Sequence, residues 1–185
     1  MGHCMDEDSL RRIKAGDIGG LEQLVARYQE RAFQIAFLVT GDPSQAQDIV
    51  QDAFIRAYEQ AVHFDMARPF GPWFFKIVAN LAVRAASRTR QGVSLDQEDE
   101  GLVLPDPAVD LERAYEKMET EADIRQALNE LPPEQCAVFV LHYLGDLKEV
   151  EIARELNCPP GTIKWRLFRA RERLRGLLSH LSSKI

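Results

Sequence analysis

Lys76, Asn80, Arg84 and Arg88 stand four residues apart, a spacing that places all four on one face of a helix. Just ahead of them Phe64, Phe70, Trp73, Phe74 and Phe75 crowd into a dozen positions. Cations beside aromatic rings are the equipment of single-strand nucleic-acid binding, the charges following the phosphates and the rings stacking on bases. An aromatic core with a solvated polar face gives the same pattern. The residues of this segment alone leave both readings open.

A second constellation lies near the C-terminus. Ile152, Ala153 and Leu156 are spaced for the inner face of a short helix, and Asn157-Cys158-Pro159 supplies a tight turn. Beyond it Ile163, Leu167, Ala170, Leu174 and Leu177 recur at helical intervals as a buried stripe. That leaves Thr162, Lys164, Trp165, Arg166, Phe168 and Arg169 outside the core, at the end of a helix-turn-helix that enters the major groove. Arg reads guanine bidentately or holds phosphate, while Thr and Lys more often fix position on the backbone. A plain helical hairpin with a basic face would leave Trp165 and Phe168 exposed without reason.

The third constellation is Gln45, Asp48, Gln51, Asp52 and Arg56, polar groups at intervals of three and four beside Ile55. Such a face docks on a partner helix or is merely solvated. Enzyme signatures are missing: there is no phosphate-binding glycine loop, dinucleotide fingerprint, HExxH or GxSxG. His3, His63, His142 and His180 are scattered, and Cys4, Cys136 and Cys158 are odd in number and far apart. Neither set reads as a metal site or a disulfide framework, so no metal, cofactor or catalysis is expected.

The elements that must position these groups are all helical. A stripe of Leu21, Leu24, Val25, Tyr28, Ala32, Ile35 and Val39 runs from an N-cap at Asp17 to a C-cap at Gly41. Asp42 caps the next helix, Pro43 suits its first turn, and Ala46, Ile49, Val50, Ala53, Phe54 and Ala57 are its buried face. Another begins near Pro72 with Phe74, Ile77, Leu81 and Ala85 as its stripe. Residues 91–108 combine Gly92, Gly101, Pro105 and Pro107 with acidic groups and show no periodicity, which reads as a flexible linker. Helix resumes near Val109 and runs to Leu131, where Pro132-Pro133 ends it and starts the next, closed by Gly145. The expected fold is therefore all-α, with two small helical domains, 5–90 and 109–185, joined by the acidic linker 91–108. Met1 to Cys4 are set aside as an expression remnant.

A composition of 45% hydrophobic and 28% charged residues in 185 is that of a globular chain. No run approaches the length of a membrane span, and the acidic start argues against a signal peptide, so a cytoplasmic protein without membrane insertion is expected. The net charge of −6 is unevenly spread. Arg68 to Arg90 holds five cations and no acid, Thr162 to Arg175 holds six cations against Glu172, and the acids Asp96, Glu98, Asp99, Glu100, Asp106 and Asp110 lie between.

In this order the motifs resemble the extracytoplasmic-function class of bacterial sigma factors, the small two-domain members of the sigma-70 family. RYQERAFQIAFLVTGDPSQAQDIVQDAFIRAYEQ (27–60) and PFGPWFFKIVANLAVRAASR (69–88) are similar to conserved region two of that family. LNELPPEQCAVFVLHYLGDLKEVEIARELNCPPGTIKWRLFRARERLR (128–175) resembles region four. The chain departs from the pattern at Gly19-Gly20, where good helix formers are usual, at Cys136, where Arg is frequent, and at Trp165, where a small residue is common.

The resemblance implies a non-catalytic subunit that binds core RNA polymerase, directs it to promoters and helps melt them. Asp48, Gln51, Asp52, Phe54, Ile55 and Tyr58 match the helix that meets the clamp helices of the largest catalytic subunit. Phe64, Asp65, Arg68, Pro69 and Trp73 match the loop and helix start that capture a flipped base of the minus-ten element, and Lys76, Asn80, Arg84 and Arg88 follow them along the strand. Thr162, Lys164, Trp165, Arg166, Phe168 and Arg169 match the helix reading the minus-thirty-five element, and the acidic linker matches the segment threaded through polymerase. Regulation by an anti-sigma protein, acting in trans, is also implied. A plain helix-turn-helix regulator would leave the stripe from Lys76 to Arg88 unexplained, and a helical adaptor binding only protein would show no salt-sensitive DNA binding in the presence of core.

Overall fold

The computed structural model describes residues 2–90 and 121–179, and among them every regular element is a helix. The first half holds α1 (Gly2–Lys14), α2 (Gly19–Thr40), α3 (Pro43–Gln60), a 3₁₀ turn (Ala61–His63) and α4 (Phe70–Arg90). The second half holds α5 over 121–129, α6 (Pro133–Tyr143), α7 (Glu149–Glu155) and α8 (Pro160–Leu177). The linker 91–108 and the helix start near Val109 lie outside the described residues.

Local chemistry sets most boundaries where the sequence puts them. Gly41 takes φ +77° and its N–H closes on the Phe37 carbonyl, a left-handed C-cap that costs a residue without Cβ little. Asp42 then accepts hydrogen bonds from the N–H groups of Ser44 and Gln45 at 2.8 and 3.0 Å, with Pro43 in the first turn. Pro133 and Pro160 open α6 and α8 in the same way.

The structure corrects the sequence reading at four points. α1 is a helix of its own; Leu10 and Ile13 are buried against the first domain, and Asp6 accepts hydrogen bonds from Arg27 and, at 2.6 Å, from the Tyr28 hydroxyl. That burial and the Asp6 carboxylate push the Tyr28 phenol above its ordinary range. α2 starts at Gly19 rather than beside Asp17, whose carboxylate accepts from the Gly19 N–H at 2.8 Å from two residues earlier. α4 starts at Phe70 and buries Phe74, Phe75, Val78, Ala79, Ala82 and Ala86, while Ile77, Leu81 and Ala85 are only half-buried. The small side chains go inward because α4 is packed from two directions, by α2 and α3 and by α6 and α7. Leu177, the last residue of α8, is exposed rather than in the buried stripe.

The glycine pair that departs from the family pattern has its reason in α1. A Cβ on Gly20 would stand 2.2 Å from the backbone carbonyl oxygen of Ser9, so only glycine lets the two helices approach this closely. Gly20→Ala should therefore lower stability by about 1–3 kcal/mol, despite the better helix propensity of alanine. Urea unfolding followed by circular dichroism measures it; an unchanged or raised midpoint would show that α1 does not pack here in solution.

Candidate nucleic-acid and polymerase interfaces

α3 presents its polar face outward. Asp48, Gln51 and Asp52 are exposed, and Ile55 and Tyr58 remain open to solvent as large apolar side chains. Phe54 is buried in the core, yet it lines the groove of about 810 Å³ that runs between α2 and α3. Leu21, Val25 and Phe33 form the α2 wall, Val50, Ile55 and Tyr58 the α3 wall. The sequence placed Leu21, Val25 and Val50 in buried stripes; their stripes are wider than the core can cover, and the surplus makes the groove apolar.

The loop after the 3₁₀ turn is braced from within. Asp65 accepts from the N–H of Ala67 at 3.0 Å, its carbonyl accepts from the N–H of Arg68 at 3.0 Å, and Lys14 reaches from α1 to the Phe64 carbonyl at 2.9 Å. Of the aromatic cluster, Phe64, Phe70, Phe74 and Phe75 are core residues. The Phe64 ring is thus not a surface ring in this arrangement. Trp73 alone of the five reaches the surface in part, backed by Phe64 and Phe70 at centroid distances of 4.7 and 5.5 Å. Asp65 and Pro69 are exposed.

Lys76, Asn80, Arg84 and Arg88 leave α4 on the side opposite its buried face, Lys76 half-buried and the other three exposed. Among the described residues none of the three cations pairs with a carboxylate. Arg90, the last residue of α4, points elsewhere: its guanidinium donates to the carbonyls of Leu131, at 2.7 Å, and Asn129. It thereby satisfies carbonyls left open where α5 ends.

α7 and α8 form the helix-turn-helix. The turn is made by Leu156 to Pro159 with Asn157 at φ +49°, and Ile152, Ile163, Leu167 and Ala170 are sealed inside. Lys164, Trp165, Phe168 and Arg169 are exposed, and Thr162 and Arg166 half-buried at the flanks. Arg169 lies 3.5 Å from Glu172 in an exposed pair of little energetic weight.

The two halves also touch one another, a contact that sequence reasoning missed. α6 packs on α2 and α4, and α7 packs on α4. Arg68, from the loop before α4, forms an ion pair with Glu155 of α7, whose side chain is 1% exposed. Arg154 approaches the same carboxylate oxygen at 3.4 Å, and the second oxygen of Glu155 has no partner among the described residues. Cys136 of α6 donates from its thiol to the Leu38 carbonyl of α2 at 3.2 Å, and burial pushes that thiol up to about 12. No local signal marks Glu155 as buried, since in α7 it reads as an ordinary helical acid.

Comparison with known proteins agrees with the geometry. The family model for Sigma-70 region 2 matches residues 24–91, and that for Sigma-70, region 4 matches residues 121–174. The chain is 33% identical to the ECF RNA polymerase sigma factor SigW of Bacillus subtilis, over 96% of this chain and 98% of that one. It is 31% identical to the RNA polymerase sigma-H factor of Pseudomonas aeruginosa, over 90% of each. Among solved structures it is similar to the sigma factor RpoE from Bartonella quintana, in complex with the anti-sigma factor NepR, with a TM-score of 0.65 and 25% identity over 85% of this chain and 96% of that one. The fold of CnrH, solved in complex with the cytosolic domain of CnrY, is also alike, with a TM-score of 0.68 at 24% identity, covering 95% and 98%. Two helical domains, the second a helix-turn-helix, define a sigma-70-type factor. The chain belongs to the extracytoplasmic-function class of RNA polymerase sigma factors. Its function is to bind core RNA polymerase, direct it to specific promoters and help melt promoter DNA.

The contact between the halves has a chemical reporter. With the domains packed, Cys136 should react with a thiol reagent at least tenfold more slowly than the half-exposed Cys158, since the thiolate is the reactive form and burial suppresses it. Glu155→Gln should accelerate Cys136 labelling, because the charge of Arg68 then lacks its partner. Equal labelling rates of the two cysteines, followed by peptide mass spectrometry, would show that the domains do not hold this contact in solution.

Proposed function

We propose a division of labour in which α3 and its groove hold polymerase, the loop from Phe64 and α4 manage the melted minus-ten strand, and α8 reads the minus-thirty-five element. The observation that carries the middle assignment is the unneutralised stripe of Lys76, Asn80, Arg84 and Arg88, opposite the buried face of α4 and beside the half-open Trp73 ring. Such a stripe positions phosphates without reading sequence, and the ring beside it supplies the stacking surface that a displaced base needs. Asp48, Gln51, Asp52, Ile55 and Tyr58 rim the α3 surface, with Phe54 beneath, and give a coiled-coil partner such as the clamp helices both an apolar seat and a polar border. The domain boundaries assigned to these roles are 5–90 and 109–185.

Promoter engagement requires the halves to part. Elements centred about 25 base pairs apart lie roughly 85 Å from each other at 3.4 Å per pair, which packed domains do not span. The linker 91–108, at 18 residues, would reach about 60 Å if extended, and the breadth of the two domains has to cover the rest. Arg68, one of the minus-ten residues, is neutralised by Glu155 while the halves are together. The chain on its own is therefore a weak promoter binder that polymerase opens. It performs no catalysis itself, works in the cytoplasm beside polymerase, and is held inactive by an anti-sigma protein, as its relative from Bartonella quintana is found in complex with one. Among the described residues no helix is long and apolar enough to cross a membrane.

Two variants test the assignment. Asp52→Arg, at an exposed position, should abolish capture of polymerase core while leaving the helical circular dichroism signal intact, and undiminished capture would reject the α3 surface. Asn80→Ala with Arg84→Ala should lower open-complex formation on duplex promoters, measured by permanganate reactivity of thymines and by transcript yield. A template carrying a pre-melted bubble should restore much of the yield, because the unstacking cost of a few kcal/mol is already met. Equal defects on both templates would remove the α4 stripe from melting.

A further inference from the structure

Ile163, Leu167, Ala170 and Leu174 define the buried side of α8. At about 100° per residue, Trp165 projects from the diametrically opposite side, with Phe168 and Arg169 roughly 50° to either side of it. The residue that would reach furthest into a groove is thus neither Arg nor Lys but an indole. Trp165 is 57% exposed and Phe168 56%, and among the described residues neither ring stacks on another aromatic side chain. The indole N–H has no partner there either. Basic groups surround them: Lys164, Arg166 and Arg169 flank the pair, so the face complements a polyanion with an apolar centre.

We propose that Trp165, with Phe168 beside it, makes this factor read thymine C5-methyl groups in the upstream promoter element. The inference rests on α8 entering the major groove and specifies what its central residues recognise there. A phenyl ring has no polar group and an indole only a single donor, so neither can make the bidentate contacts by which Arg, Asn or Gln read a base edge. The apolar feature of the major-groove edge is the thymine methyl. Trp165 is also broad. At the centre of the face it keeps the α8 backbone further from the bases than a small side chain would, which leaves close hydrogen bonding to long side chains such as Arg169 and removes it from short ones such as Thr162. Base preference at the centre of the site is then set by methyl contact, with guanine contacts at its edges.

The experiment uses the full chain assembled with polymerase core. Promoters are first obtained by transcription from a randomised upstream-element library. Each selected thymine is then replaced singly by uracil, which removes the methyl and nothing else, and relative binding is measured by competition. At one or two central positions uracil should weaken wild-type binding roughly fourfold, the weight of one buried methyl group. Trp165→Ala should make those positions indifferent to the methyl, within twofold. Trp165→Phe should retain part of the methyl effect. Selected elements lacking thymine on both strands at the centre, or a uracil effect unchanged in Trp165→Ala, would overturn the proposal. A Trp165→Ala variant that transcribes normally on every thymine and uracil template but no longer binds an anti-sigma protein would show that the pair docks protein instead. Failure of the major-groove reading itself would look different: the library would yield no upstream preference with either protein.

Discussion

α4 packs against α2 and α3 in one half of the molecule and α6 and α7 in the other, so its cross-section must supply two apolar contacts and still leave a polar side open. The first half of the helix answers with Phe74, Phe75 and Val78, the second with Ala79, Ala82 and Ala86. Large rings fill wide gaps between helices, and alanines allow close helix approach. What remains exposed is a narrow strip, and Asn80, Arg84 and Arg88 occupy it. The cation stripe is thus held rigid by burial of the same helix on either side, and a rigid row of donors loses little freedom when it engages phosphates.

The contact between the halves is built differently from the two domain cores. Its polar elements are Arg68 with Glu155, Arg90 with two backbone carbonyls, and the Cys136 thiol with Leu38. Removing a carboxylate from water is costly, and Glu155 leaves one oxygen unpaired. A fully apolar seam would hold more tightly. This seam instead contains a charged pair whose members regain water on separation, so opening it costs less than its buried area suggests. That suits the proposed role of the loop before α4, which supplies Arg68 to the pair and would need it free to meet DNA.

Much of this was legible in the sequence because local chemistry decided it. Gly41 followed by Asp42 and Pro43 can hardly be anything but one helix ending as another begins, and the turn from Asn157 to Pro159 between two apolar stripes reads equally directly. The exposed residues of α3, α4 and α8 also lie where helical spacing put them. Illegible features all depended on a second helix arriving from afar. α1 was hidden by its acidic start, and its buried Asp6 makes sense only with Arg27 and Tyr28 beside it. Gly20 looked like a weak helix start until the Ser9 carbonyl came within reach. The alanines of α4, the burial of Phe64 and the pairing of Arg68 with Glu155 across 87 residues are likewise properties of packing, which a single periodic pattern does not carry.

A net charge of −6 on a DNA-binding protein ceases to be a contradiction once the distances that matter are considered. At physiological salt, charges separated by more than about 8 Å are largely screened from one another. A phosphate resting against α4 or α8 therefore feels the nearest cations and little of the acids elsewhere on the chain. The total charge acts only in aggregate, by weakening indiscriminate attraction to DNA. For a subunit whose value lies in where it places polymerase, weak attraction to random sequence is useful, because competing non-specific sites far outnumber promoters. Cations clustered on α4 and α8 can therefore act locally on a phosphate, while the acidic balance of the whole chain weakens attraction elsewhere.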